Sequence, residues 1–488
     1  MDISQRAFKG NIHPNKIQLL ESLLRKDSVP QIKNILNNKK LSNFQTIGAA
    51  YTYISNEALL GDDPGLGKTI QAAAFLKLHK VNNTLKKVLV VTESSAIYQI
   101  LSEIYVETGL VLLPVFGDAI KINKTLKKYD YREFDGILTT HSAVGVGNEL
   151  LRQFLPIKHE FNTIIYDESS AVANNTSIRH LVARGMFKYF ENKLMLNGTA
   201  FTSKLDQLYN QINILNPTLL PSMNTINGEY GVYGKKSYYM KGLQLVDYKN
   251  VDDFVKRIRY NYIGRSRKDV GIDVEHIYNL HLVEQTDKQK AKANNVNYNE
   301  VLLNASGSAK KALKEIPALN KLLELTKERL KDGNVVIFAE YINIKPIIKE
   351  LLETHIKGCR VGIIDGAISS TEGINREEER LKFENGEYNV LIINIAKALN
   401  LGSAKSMILY TIPDDFYQAA LRIDRGLNGG KKTYDIIAYD NSKQLIDITT
   451  RFLYQENLMN IGLGKNYTAF NTICNQLKYL AGMSDILA

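Results

Sequence analysis

The chain has only two cysteines among 488 residues. Cys359 and Cys474 lie far apart, with no Cys-x-x-Cys or His-x-His companion. Neither a structural zinc nor a disulfide framework is therefore expected. No run approaches the roughly 18 apolar residues that a membrane-spanning helix needs. The opening residues, Met1-Asp2-Ile3-Ser4-Gln5-Arg6, carry no apolar core of a signal peptide. The expectation is a cytoplasmic protein with no membrane partner. There is no low-complexity tract and no period of roughly 20 to 50 residues, which excludes a repeat array.

What is present is ordinary globular composition, 44% hydrophobic and 23% charged, in a chain long enough for several domains. Sixty-two basic residues outnumber 51 acidic ones, giving a net charge of +11 and a pI near 9.1. That excess suits a polyanion partner such as DNA or RNA, although a basic protein without such a partner has the same composition. Short apolar runs alternate with helical patterns, which predicts an α/β fold with parallel sheets covered on both faces. The strands expected in the first half are Ala58–Gly61, Val88–Glu93, Gly136–Thr140, Thr163–Glu168 and Lys193–Asn197. Those in the second half are Val335–Glu340, Arg360–Asp365, Asn389–Ile395, Ser406–Ile412 and Tyr434–Tyr439. The resulting plan has an accessory segment at 1–40, a first lobe at 41–217, a helical and irregular insert at 218–320, a second lobe at 321–450 and a helical tail at 451–488.

The segment Gly61-Asp62-Asp63-Pro64-Gly65-Leu66-Gly67-Lys68-Thr69 follows an apolar run and opens a helical pattern from Ile70. This is the context of a phosphate-binding loop. Glycines let backbone amides turn toward phosphate oxygens, and a helix N-terminus adds favourable partial charge. Lys68 would reach the β- and γ-phosphates, and the Thr69 hydroxyl would bind Mg²⁺. A strict loop has glycine five residues before Gly67, where Asp62 stands instead. Asp167 and Glu168 end a second apolar strand, the place for one carboxylate to hold Mg²⁺ and its neighbour to polarise the attacking water.

Asp-Asp-x-Gly-Leu-Gly-Lys-Thr-Ile-Gln resembles the first motif of Swi/Snf-like translocases, a branch of the superfamily-two helicases. Other segments follow in family order. Asp167-Glu168-Ser169-Ser170 resembles the Asp-Glu-x-His box, with Ser170 replacing histidine. Leu196-Asn197-Gly198-Thr199-Ala200 resembles Leu-Thr-Gly-Thr-Pro, and Leu41-Ser42-Asn43-Phe44-Gln45 the segment whose glutamine reads adenine. Arg265-Ser266-Arg267-Lys268-Asp269-Val270 is similar to the basic stretch before the second lobe. Val336–Tyr341 looks like that lobe's first strand, and Asp365-Gly366, Arg376 and Phe383 fit its spacing. Ala398-Leu399-Asn400-Leu401 is similar to Gly-x-Asn-Leu, and Gln418–Gly426 to Gln-Ala-x-Gly-Arg-x-x-Arg.

The resemblance runs from about Leu41 to about Ile446. It implies two tandem RecA-like P-loop lobes that use ATP and Mg²⁺. The implied catalytic set is Lys68, Asp167, Glu168, Arg422 and Arg425, with Arg425 as arginine finger. Nucleotide contacts would come from Gln45, Asp62, Gly65, Leu66, Gly67, Lys68 and Thr69, with Thr69 and Asp167 on the metal. Loops at Thr92, Ser94, Thr139 and Thr140, together with Asn400, would touch DNA phosphates. Capping of the next helix explains Ser94 equally well. The Tyr230–Tyr239 segment interleaves aromatic and basic residues, suiting base stacking or a loop packed on its own tyrosines. Lys256, Arg257 and Arg259 read as a solvated helix face. The expected function is ATP-driven translocation on duplex, forked or branched DNA, including branch migration. A restriction or transport motor and a nucleotide-gated scaffold are the alternatives. Abundant Asn, Lys, Ile and Tyr suggests an AT-rich genome, and compactness a phage source.

Overall fold

The computed structural model describes residues 32–145, 156–198, 205–234, 244–272, 274–287, 308–364, 373–394, 401–413, 422–424 and 430–440, with a few isolated positions besides. The chain divides into two compact units between Ser266 and Arg267.

Among the described residues, helix α1, Asn43–Ser55, is the first in the first unit with both ends defined. Ser42 and Gln45 form a reciprocal capping box that occupies otherwise orphaned amides at the helix start. Strand β1 (Glu57–Leu60) leads through the glycine-rich turn into helix α2 (Lys68–Val81). The strands that follow are β2 (Lys87–Thr92), β3 (Leu112–Pro114), β4 (Gly136–Thr140), β5 (Phe161–Tyr166) and β6 (Asn192–Leu196). A short strand β9 (Tyr262–Ile263) completes the sheet, whose order is β3-β4-β2-β5-β6-β1-β9. Every pairing is parallel. β2 from Val88 onward and the whole of β5 are buried, as expected for strands covered on both faces. One core packs Tyr51, Phe75, Val90, Leu138, Ile165 and Leu194 together. Between β6 and β9, strands β7 (Gly231–Gly234) and β8 (Gln244–Tyr248) form an antiparallel pair.

The second unit holds β10 (Val274–Val283), β11 (Asn334–Phe338), β12 (Val361–Ile364), β13 (Val390–Ile393), β14 (Ala404–Leu409) and β15 (Gly430–Tyr439). They lie in the order β10-β15-β14-β11-β13-β12, again all parallel. The two faces follow from the two-residue period of a strand. Val336, Phe338, Leu391, Ile393, Met407 and Leu409 enter one core cluster. Val335, Ile337, Val390, Ile392 and Ile408 enter the other. Full burial of such side chains stabilises by about 1.5–3 kcal/mol each, so these sandwiched strands anchor the unit.

All ten strands expected from apolar runs are present, with ends moved by up to four residues. The span 218–320 differs from the expected helical insert. It supplies β9 to the first sheet and β10 to the second, besides the β7–β8 pair. Among the described residues, no helix is long and apolar enough to cross a membrane.

Candidate nucleotide site

In a parallel sheet the carboxyl ends of all strands meet on one edge, where open α/β sheets bind ligands. The loop after β1, the acidic pair after β5 and Gly198 after β6 all lie on this edge, and β6 pairs with both β1 and β5.

Gly65 and Gly67 adopt φ of 86° and 75°, the left-handed region where a side chain would be strained. Gly67 is also the cap of α2, so no side chain competes for the first helical amides. A Cβ on Gly67 would come within 2.5 Å of the Gln45 amide. Gln45 donates to the Leu66 carbonyl at 3.1 Å while its oxygen accepts from the Ser42 amide at 3.0 Å. The glutamine thus braces the loop from α1. The Lys68 ammonium donates to the carbonyls of Asp62 (2.9 Å) and Asp63 (3.3 Å). A Cβ on Gly198 would meet Pro64 at 2.7 Å and the Lys68 ammonium at 3.4 Å, so that position must stay small. Thr69 is half-buried and Leu66 fully buried.

Asp62 does not line the surface of the loop. It is fully buried, and Arg265 clasps both of its oxygens, Nε to Oδ1 at 2.9 Å and a terminal nitrogen to Oδ2 at 2.6 Å. Gln71 donates to Oδ2 at 3.0 Å. A glycine at position 62 would leave Arg265 without its carboxylate, which accounts for the departure from the strict loop pattern.

The acidic pair leaves β5 through a backbone kink: Glu168 has φ of 47°. Burial, then the charge of Glu168, pushes the Asp167 carboxyl well above the usual carboxylate range. A hydrogen bond from Thr92 and the charge of Lys68 act the other way. Thr92 donates to Asp167 Oδ2 at 2.9 Å, and His141 Nε2 lies 2.8 Å from the Asp167 carbonyl. The His141 ring stacks on Tyr166 at 4.9 Å between centroids. Glu168 Oε2 and Ser170 Oγ are buried with no hydrogen-bond partner. Buried acceptors beside a carboxylate held against its tendency to protonate suit a hydrated divalent cation. No group of three or more ligand-type side chains able to hold a metal occurs among the described residues. Ser169 donates to Gln211 Oε1 at 2.6 Å, and Asn197 donates to the same oxygen at 3.1 Å. One glutamine therefore joins the acidic turn to the Leu-Asn-Gly segment.

The expected DNA contacts separate into two kinds. Ser94 is exposed, as is Ser142 in the neighbouring turn. Thr92 and Thr139 are fully buried and Thr140 nearly so. Thr139 donates to the Val115 carbonyl at 2.6 Å, and Thr140 shares a hydrogen bond with Ser142 at 3.1 Å. These three hydroxyls serve strand ends and, for Thr92, the acidic pair rather than the surface. Arg257 pairs with Asp253 and Glu229 instead of forming a free basic face, and Tyr230 is buried with its hydroxyl on Asp253. In the second unit Arg422 is buried, at 1% exposure, and Phe383 belongs to the core. Asn400, Thr199, Ala200, Arg425 and Lys235–Tyr239 lie outside the described residues. Sequence reasoning missed Thr92 as a carboxylate partner, and it missed Gln211 and the Arg265–Asp62 clasp. Only the clasp left a signal, an acid where glycine belongs.

Residues 29–328, more than half of the chain, match the SNF2-related domain, and the chain belongs to that family. Among curated relatives, the putative ATP-dependent helicase/translocase YwqA of Bacillus subtilis is 25% identical, covering 84% of this chain and 47% of its own length. The human DNA excision repair protein ERCC-6-like is 22% identical over 67% of this chain and 25% of its own length. The chain thus spans about half of these relatives or less, and neither supports a phage source. The Sulfolobus solfataricus SWI2/SNF2 ATPase core in complex with dsDNA is a solved neighbour at 19% identity and a TM-score of 0.42, covering 93% of this chain and 99% of that one.

Proposed function

We propose that the chain is a DNA-dependent ATPase that translocates on duplex DNA and remodels forks or branched junctions, including branch migration. The observation that carries the reading is the shared edge of the first sheet. There the Gly65–Thr69 loop, Lys68 and the Asp167–Glu168 pair stand on β1 and β5 with Gly198 between them. In this reading the Lys68 ammonium leaves the loop carbonyls for the phosphate oxygens of ATP. Glu168, with Oε2 unpartnered, orients the attacking water, and Thr92 and Lys68 draw Asp167 toward its ionised form against burial and Glu168. Thr69 and Asp167 would hold Mg²⁺, which supplies charge neutralisation on the phosphates when bound. Arg422 and Arg425 are the proposed γ-phosphate arginines, with Arg425 as finger. Ser94 and Ser142 are the exposed hydroxyls suited to a DNA phosphate, and the net charge of +11 favours that polyanion.

The relatives' printed names, a helicase/translocase and a DNA excision repair protein, support work on DNA, and recombination, replication or repair is the proposed process. The bacterial or phage-infected cytoplasm is the proposed setting. ATP hydrolysis measured alone and with duplex, single-stranded, forked and four-way DNA tests the reading. Stimulation of at least several-fold, greatest with branched duplex, is expected. Equal turnover with and without DNA would instead identify a nucleotide-gated scaffold.

A further inference from the structure

Two arginines that the mechanism above leaves unused stand on either side of the division between the units, at 265 and 267. Within the first unit, Arg265 holds the phosphate loop from beneath. Besides its two-pronged contact with Asp62, its backbone amide donates to Asp62 Oδ1 at 3.1 Å. Its guanidinium also donates to Gln71 Oε1 at 2.9 Å and to the Phe44 carbonyl. The Asp63 amide donates back to the Arg265 carbonyl at 2.9 Å. With Asp62 fully buried, loss of the guanidinium would leave an uncompensated charge directly under the loop.

Within the second unit, Arg267 holds the arginine turn. It is 5% exposed and donates to the Asp424 carbonyl at 2.9 Å, with Nε 3.6 Å from Asp424 Oδ1. His276 Nε2 lies 2.9 Å from the other Asp424 oxygen. Asp424 is 1% exposed and stands in sequence between Arg422 and Arg425. Arg267 therefore fixes the Asp424 backbone by hydrogen bond and, with His276, flanks its buried carboxylate.

We propose that Arg265 and Arg267 are positioning residues for ATP hydrolysis, the first setting the phosphate loop through Asp62 and the second setting the arginine turn through Asp424. This rests on the ATPase reading above. The two act on different steps. The loop binds ATP in its ground state, so Arg265 governs nucleotide affinity. The arginine turn matters as charge develops at the γ-phosphate, so Arg267 governs turnover. A lysine at either position keeps the charge but loses the planar two-pronged geometry.

The experiment is steady-state ATPase at saturating duplex DNA, with fluorescent-ATP-analogue binding and melting temperature, on Arg265→Ala, Arg265→Lys, Arg267→Ala and Arg267→Lys. Arg265→Ala should raise KM and the analogue's Kd about tenfold or more, with kcat within about threefold. Arg267→Ala should lower kcat about tenfold or more, with both affinities within about threefold. The lysine variants should show the same split in weaker form, and they decide the matter where an alanine variant does not fold. If KM and kcat worsen together in step with melting temperature, or if neither moves, the proposal is overturned. Lys68→Ala run in parallel keeps the two readings apart. Absence of hydrolysis by the parent sinks the ATPase reading itself and parental turnover in Lys68→Ala shows the loop to be misassigned, whereas loss in that variant alongside unchanged arginine variants sinks only the positioning role.

Discussion

Replacing Thr92 with valine separates two roles for one hydroxyl at the end of β2. Valine keeps the branched shape that this buried position needs and removes only the donor. The hydroxyl donates to Asp167 Oδ2 at 2.9 Å, a hydrogen bond to a carboxylate that favours its ionised form. Such bonds contribute about 1.5–3 kcal/mol. At about 1.4 kcal/mol per pKa unit, its loss should carry Asp167 up by about one to two units. Burial and Glu168 have already pushed that carboxyl up to about 7, so the further rise would leave it largely protonated at neutral pH. In the proposed mechanism a protonated Asp167 would not hold the cation, so activity should be lost as pH falls through its pKa. The assay is ATPase rate against pH, roughly from 5 to 9, with an Mg²⁺ titration at each pH and a separate DNA-binding isotherm. The acid limb of the profile should move to higher pH by about one to two units, and more Mg²⁺ should be needed near neutrality. DNA affinity should stay within about twofold, because the side chain is inaccessible. An unmoved acid limb combined with weakened DNA binding would refute the argument and return Thr92 to the DNA.

Further outcomes follow from the same geometry. Lys68→Ala should abolish hydrolysis, since the phosphate charge loses its partner; turnover at the parental rate would show the loop to be misassigned. Arg425→Ala should bind ATP yet hydrolyse it at least about a hundredfold more slowly, toward the ~10³–10⁵ of an arginine finger, and equal losses of binding and rate would mark a structural residue. Asp435 is buried against Arg329, His281 and Asn279, whose hydrogen bonds outweigh its desolvation and lower it from 3.8 to about 2. That depression contributes about 2–3 kcal/mol, fully present above the unfolded carboxylate pKa and lost as pH falls toward 2. Asp435→Asn should therefore lower the second unit's melting temperature at neutral pH, with the gap from the parent closing in acid. A gap independent of pH would count against the linkage.

The elements legible in the sequence were those whose signal is local. Apolar runs such as Val88–Val91 and Val335–Phe338 announce buried parallel strands because both faces need apolar side chains. The phosphate loop and the acidic pair are likewise written in consecutive residues. The strands missed lack that signal for identifiable reasons. β3 is three residues long and ends in proline, β9 is two residues long, and β10 alternates polar with apolar residues because it lies at an edge. Partners within the site were hidden by sheet order. Thr92 meets Asp167 because β2 pairs with β5, although 75 residues separate them. Asp62 meets Arg265 across 203 residues because β9 adds itself beside β1. Neither adjacency can be read from spacing along the chain. The contrast between Ser94, which is exposed, and Thr92, two residues earlier and buried, likewise depends on where β2 stops and its turn begins.

The pairing of β10 with β15 has a consequence for how the protein is made. β10 leaves the ribosome first among the second unit's described strands, yet its described neighbour comes last of them, so His281 waits 154 residues for Asp435. Until then the nascent strand offers an open row of amides and carbonyls to any passing chain. Its charged and imidazole-bearing positions, Glu275, His276 and His281, are the features on hand to discourage mispairing during that interval.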